Sequence, residues 1–220
     1  MSDRLPVRDE LYLLAHDERG KPLVHSSILG LGLAAALLVD LALQGEIDSS
    51  SGRVLTRPRP RADNTPGLGL DMVDRALAEL TAGRTDPPTT QDVLLAWQTT
   101  MYERVRGELM AANILESVKS RKLGLVSVTR HRLVDEAVAV RCRTALRRIV
   151  TGQNTPTAED AALCGLMMEL QLERALHLSS DIGSIRQTIT QIVSRHSTTV
   201  RQILAATADA IRFRSTTLSM

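Results

Sequence analysis

Aromatic side chains are nearly absent. Tyr12, Trp97, Tyr102 and Phe213 are the only four in 220 residues, too few for the stacking platforms that single-stranded nucleic acid requires or for a carbohydrate-stacking groove. Cysteine is as scarce. Cys142 and Cys164 lie in apolar helical patterns without a CxxC, which argues against a disulfide framework or a zinc site. His16, His25, His131, His177 and His196 lie far apart, and none has metal-ligand spacing to another His or Cys, so no metal or cofactor is expected. P-loop, HExxH and GxSxG motifs are missing, as is any nucleophile–base constellation. The expectation is a protein that is not an enzyme. The opening MSDRLPVRDE has no apolar core of a secretory signal, so a cytoplasmic location is expected.

What is present is ordinary in amount and uneven in arrangement. Hydrophobic residues make up 43% and charged residues 24% of the chain, the proportions of a globular protein with one domain's worth of core. The net charge of +2 is too small for a general polyanion binder, and no nucleic-acid partner is expected. Between Arg104 and Arg148, however, eleven basic residues face four acids, and Arg53, Arg57, Arg59 and Arg61 form a second run without any acid. Only three of the 27 basic residues are lysine. Arginine forks suit phosphate oxygens, although a GC-rich coding bias gives the same skew.

The longest apolar stretch, 22–43, carries His25, Ser26, Ser27 and Asp40. It reads as a buried central helix over 28–44, capped by Ser26 or Ser27 and closed by Gly45, rather than as a membrane span. Gly30-Leu31-Gly32-Leu33-Ala34-Ala35 fits GxGxxA on paper. No strand precedes it and no βαβ unit follows, so its small residues serve close helix packing.

Elsewhere the pattern predicts a short helical block at 10–14 closed by the turn 17–20, and a small hairpin across 46–56. Loop 58–67 follows, then a helix at 70–80 and two further helices, one from Thr89 or Thr90 through Trp97 and one carrying Met101, Val105, Leu109 and Met110. A hairpin over 114–128 has the cationic tip Lys119-Ser120-Arg121-Lys122. A helix over 133–150 precedes one opened by Thr157 and Asp160, a capping-box variant, and helices broken near 179–180 and 195–196 run to 213. The fold expected is mainly α, a single compact helical domain over 9–213 with one protruding β-hairpin and a second short one, flanked by tails at 1–8 and 214–220.

Several stretches together resemble one family. Leu11-Tyr12-Leu13-Leu14-Ala15-His16-Asp17 with Gly20, Leu38-Val39-Asp40-Leu41-Ala42-Leu43-Gln44-Gly45-Glu46-Ile47, residues 105–115 and Leu123-Gly124-Leu125-Val126 look like the signatures of the Golgi phosphoprotein 3 (GPP34) family, in its bacterial branch. The resemblance runs from 9 to 178 and on to 213. It implies a helical domain with a protruding hairpin that self-associates. It also implies a peripheral membrane protein, on the inner face of the membrane, that binds phosphatidylinositol 4-phosphate through a basic pocket. The adaptor work of eukaryotic members, holding glycosyltransferases in the Golgi, does not transfer to a bacterial member.

The family's pocket tryptophan falls at His25, and its arginines fall at Ala34, Thr99 and Tyr102, so all four positions depart. Displaced cations are expected instead from Arg104 and Arg106. With the hairpin's Lys119, Arg121, Lys122, Arg130 and Arg132, and with His25, these are the candidate lipid-headgroup residues. The expected partners are an anionic phospholipid surface and, through the hairpin, a second copy of the chain. The alternative is a protein-interaction scaffold that assembles through the hairpin without specific lipid binding.

Overall fold

Helix α1 (Val7–Leu14) has no cap of its own: Pro6 precedes it and offers no side-chain acceptor. Its open N–H groups are met from the next helix, α2 (Ser26–Leu43), where the Asp40 carboxylate accepts from the Val7 N–H at 2.8 Å. A carboxylate at a helix N-terminus satisfies orphan donors and the positive end of the dipole together. The computed structural model describes residues 4–57, 70–82, 86–122, 126–178 and 181–217. Most of these residues are helical. The expected tail at 1–8 is shorter, because Val7 and Arg8 are already helical and buried.

Because α2 is apolar on nearly every face, only burial all round satisfies it. It is long and apolar enough to cross a membrane, with mean hydropathy 2.0, yet 72% of it is buried inside the fold. It begins two residues before the expected start. His25 is the N-cap instead of Ser26 or Ser27, its ring accepting from the Ser27 N–H. Beyond α2 the residues Ile47–Ser50 (β1) and Arg53–Thr56 (β2) form the small antiparallel hairpin, turning through Ser51 and Gly52 at positive φ. The loop expected at 58–67 lies outside the described residues. Helix α3 (Leu70–Thr81) follows.

Where two helices were expected there is one, α4 (Thr90–Ala111), capped by the Thr89 hydroxyl on the Asp92 N–H. Met101, Val105 and Leu109 continue the buried face of Val93, Leu94 and Trp97 without a break, whereas Met110 is exposed. Thr99 and Thr100, between the two expected helices, are exposed. α4 lies against α2 closely enough that a Cβ on Gly30 would stand 2.1 Å from the Gln98 carbonyl oxygen. One on Gly32 would meet the Leu170 side chain at 2.5 Å. Close packing is therefore the role of the glycine-containing run.

The second hairpin pairs β3 (Leu115–Lys122) with β4 (Val126–Leu133). This corrects the expected boundaries. Lys119, Ser120, Arg121 and Lys122 are strand residues opposite Thr129, Val128, Ser127 and Val126, and the connection falls at 123–125, outside the described residues. β4 also takes Arg130, Arg132 and Leu133 into the ladder. Helix α5 (Glu136–Val150) consequently starts after the expected 133, with the Asp135 carboxylate accepting from the Ala137 N–H at 2.9 Å.

Helix α6 (Ala158–Glu169) opens with the expected reciprocal box between Thr157 and Asp160. A 3-10 turn (Glu173–Leu176), α7 (Ile182–Ser194) and α8 (Thr198–Thr217) complete the chain. The break expected at 195–196 is present, that at 179–180 lies outside the described residues, and the expected tail from 214 is helical to Thr217. α1, α4, α6 and α8 all pack on α2. The fold is thus a helical domain wrapped around one apolar helix, with two small antiparallel hairpins.

Candidate functional site

On α4, Arg104 and Arg106 are two residues apart, about 200° around the helix, and they face different neighbours. Arg104 pairs with Glu79 of α3 at 2.9 Å. Arg106 pairs with Glu103 and lies over the Tyr102 ring, 5.7 Å from its centroid. On the hairpin, Arg132 pairs across the ladder with Glu116 at 2.7 Å, and Arg130, opposite Val118, is exposed. The ladder's alternation puts Lys122 in step with Arg130 and Arg132, and Lys119 and Arg121 at the other set of positions.

His25 stands apart from both groups. α2 and α4 run in the same direction: Gly30 lies beside Gln98, and Arg8 bridges Asp40 to Glu108. By helix rise, His25 is about 16–20 Å along the bundle from Arg104 and Arg106. The candidate cations thus fall into a hairpin group with Arg106 near its His131, Arg104 toward α3, and His25 apart, rather than one patch. Ala34, at the position of a family pocket arginine, is fully buried in α2. Of the second basic run, Arg53 bonds the Pro87 carbonyl at 2.6 Å and Arg57 pairs with Asp48 at 2.7 Å.

Three features escaped the sequence. The first is a buried charge cluster. Arg8, 1% exposed, reaches Asp40 at 2.9 Å and Glu108 at 3.3 Å. Beside it, burial pushes the Asp9 carboxyl up to about 7, with Arg8 opposing and Asp40, Glu108 and Glu10 adding to the rise. Arg4 joins the same region to α6 through Glu10 and Asp160, each at 2.8 Å.

The second is an aromatic stack. The Tyr12 and His16 rings lie 4.1 Å apart, with Tyr102 beside them. His16 donates from Nδ1 to the Tyr12 carbonyl at 2.6 Å and accepts at Nε2 from the Tyr102 hydroxyl at 3.0 Å. Burial lowers the His16 pKa, so the ring is neutral at pH 7 and this tautomer follows. Tyr102 is therefore tied inward.

The third is a groove of about 510 Å3 between the 16–19 turn, α5 and the 3-10 turn. Arg19, Arg143, Arg174 and His177 line it, with Asp17 and Glu18 at one side. It adjoins a smaller pocket of about 80 Å3 at the foot of the hairpin, lined by Tyr12, His16, His131, Leu133 and Arg143. The arginines come from three segments far apart in sequence, so spacing gives no sign of their meeting. Among the described residues, no group of three or more His, Cys, Asp or Glu side chains could hold a metal ion. Both thiols are raised by burial, Cys142 to about 11 and Cys164 to about 12, so neither is a thiolate at pH 7.

No curated protein matches the chain. The family model of Golgi phosphoprotein 3 (GPP34) matches residues 7–212, from the first residue of α1 to within the last turns of α8, and the chain belongs to that family.

Proposed function

We propose that this chain is a non-enzymatic peripheral membrane protein that binds anionic phospholipid headgroups, phosphatidylinositol 4-phosphate by its family, on the cytoplasmic inner face of the membrane. The observation that carries the reading is the family match over nearly the whole chain, joined to a hairpin bearing five cations, Lys119, Arg121, Lys122, Arg130 and Arg132, of which the described Arg130 and Arg132 are exposed. Each Lys or Arg beside an anionic leaflet contributes about 1 kcal/mol. Lys122, Arg130 and Arg132, in step on the ladder, hold a protein at the surface weakly, and salt screens the attraction.

Vesicle co-sedimentation tests this, with neutral lipid, phosphatidylglycerol and phosphatidylinositol 4-phosphate at low and high salt. Binding to anionic vesicles that falls at high salt is expected, with a preference for the phosphoinositide over equal charge. An Arg130→Gln/Arg132→Gln variant should partition about 30-fold less, from two lost contributions of about 1 kcal/mol each. Failure of the wild type to bind any anionic vesicle at low salt overturns the reading. A second reading, a scaffold that self-assembles through the hairpin, is favoured by one observation: among the described residues β3 and β4 pair with each other and with no further strand, and unpaired strand edges pair readily. A stable oligomer by light scattering without vesicle binding would select it.

A further inference from the structure

The groove between the 16–19 turn and the 3-10 turn has no part in the membrane reading, and its chemistry is specific. Arg143 enters it from α5, half-buried, and its Nε is buried without a hydrogen-bond partner. A guanidinium nitrogen removed from water and left without an acceptor costs free energy that a bound anion would recover. Arg19 and Arg174 flank it, both exposed. None of the three has an ion-pair partner among the described residues. This sets them apart from Arg4, Arg8, Arg104, Arg106 and Arg132, each held by a carboxylate.

The acids nearby, Asp17 and Glu18, cancel them only in part. Asp17 already accepts the backbone N–H groups of Arg19 and Lys21, at 2.9 and 2.8 Å, within its own turn. Glu173, at the start of the 3-10 turn, is buried and taken by Arg186. Glu18 is the remaining carboxylate at the rim. The backbone adds a further indication. Gln171 ends α6 and His177 ends the 3-10 turn, both left-handed, with φ of 57° and 48°. Stability alone favours glycine at such helix ends, yet both positions carry polar side chains that line the groove.

We propose that this groove is an anion site for a phosphate monoester carried on a small polar body. Three arginine forks lining one groove, outnumbering its two carboxylates, offer the charge and the paired donors that a phosphate dianion takes. The volume, about 510 Å3, lies within the range of small-molecule sites, and no Phe, Tyr or Trp lines the groove. The phosphate is either that of a free phosphorylated metabolite or that of a lipid headgroup.

Isothermal titration calorimetry with inorganic phosphate and with glucose 6-phosphate, at constant ionic strength and with chloride as the control, tests the site. Vesicles containing phosphatidic acid, compared with phosphatidylglycerol, test the lipid source. Saturable binding of glucose 6-phosphate in the millimolar range or tighter is expected for the free ligand. A preference for phosphatidic acid over phosphatidylglycerol is expected for the lipid. Arg143→Gln and Arg174→Gln should each weaken the response at least tenfold while Arg201→Gln, an exposed residue of α8, leaves it unchanged, and circular dichroism should show each variant folded. The proposal is overturned if chloride reproduces the heat, if Arg143→Gln and Arg174→Gln bind as the wild type does, or if neither phosphate source binds. Because the groove uses none of the hairpin cations, a wild type that binds glucose 6-phosphate but no anionic vesicle marks a failed membrane reading, and one that binds vesicles but neither phosphate source marks a failed groove.

Discussion

Arg8 and Arg143 each hold a buried Nε without a hydrogen-bond partner among the described residues, and they differ in whether a carboxylate neutralises the charge. Arg8 is enclosed by α1, α2 and α4, and meets Asp40 and Glu108, carboxylates brought from 32 and 100 residues away. Arg143 stands between two cavities with a buried nitrogen that nothing in the described chain accepts. A paired buried charge ties helices together, whereas an unpaired one at a cavity wall leaves an interaction unmade. The first belongs to the fold. The second is where a ligand would act.

Removing one partner of the buried cluster breaks the comparison most severely. Arg8→Met should cost about 3–5 kcal/mol, because Asp40 is left charged and buried with only backbone donors. Urea unfolding followed by circular dichroism measures it, and a loss near zero would mean that Asp40 takes up a proton instead. The next largest effect is pH-dependent. With the Asp9 pKa raised to about 7, the folded state holds a proton that the unfolded chain releases nearer pH 4. That contribution to stability is complete in acid and disappears as pH rises through 7. Asp9→Asn should therefore gain about 1–3 kcal/mol relative to the wild type between pH 5 and pH 8. Melting at the two pH values reads the difference, and parallel curves would place Asp9 in an ionised state throughout. The smallest effect is on Arg143: Arg143→Gln should change stability by no more than about 0.5 kcal/mol, while acting strongly on phosphate binding. A large loss of stability would make that arginine part of the scaffold and remove the contrast.

The helices were legible where a pattern is local. The capping box at Thr157 and Asp160, the left-handed Gly45 and the apolar run of α2 depend on neighbours within a few residues, and the sequence displays them directly. The errors came where a remote partner decides. The two helices expected around Trp97 and Met101 are one, because a single buried face runs from Val93 to Leu109. Lys119 to Lys122 read as a turn because four polar residues in a row resemble one, but ladder pairing with 126–129 makes them strand. The α2 cap falls to His25, an acceptor that cap preferences do not favour.

The candidate site divides in the same way. Sequence located the cations of α4 and the hairpin, but spacing along the chain says nothing of which carboxylate each one meets. The structure pairs Arg104 with Glu79 and Arg132 with Glu116, and separates His25 from both. Arg19, Arg143 and Arg174 drew no notice singly, since each is an ordinary charged residue in its own segment.

By itself the sequence determined the class of the fold and its centre: a helix with no polar face must be wrapped, whatever wraps it. It also carried the family, through the order of its motifs. Only the tertiary structure decided which charges are neutralised and which remain open. That choice depends on distances of a few ångströms between segments more than a hundred residues apart, and such distances exist only once the helices have packed.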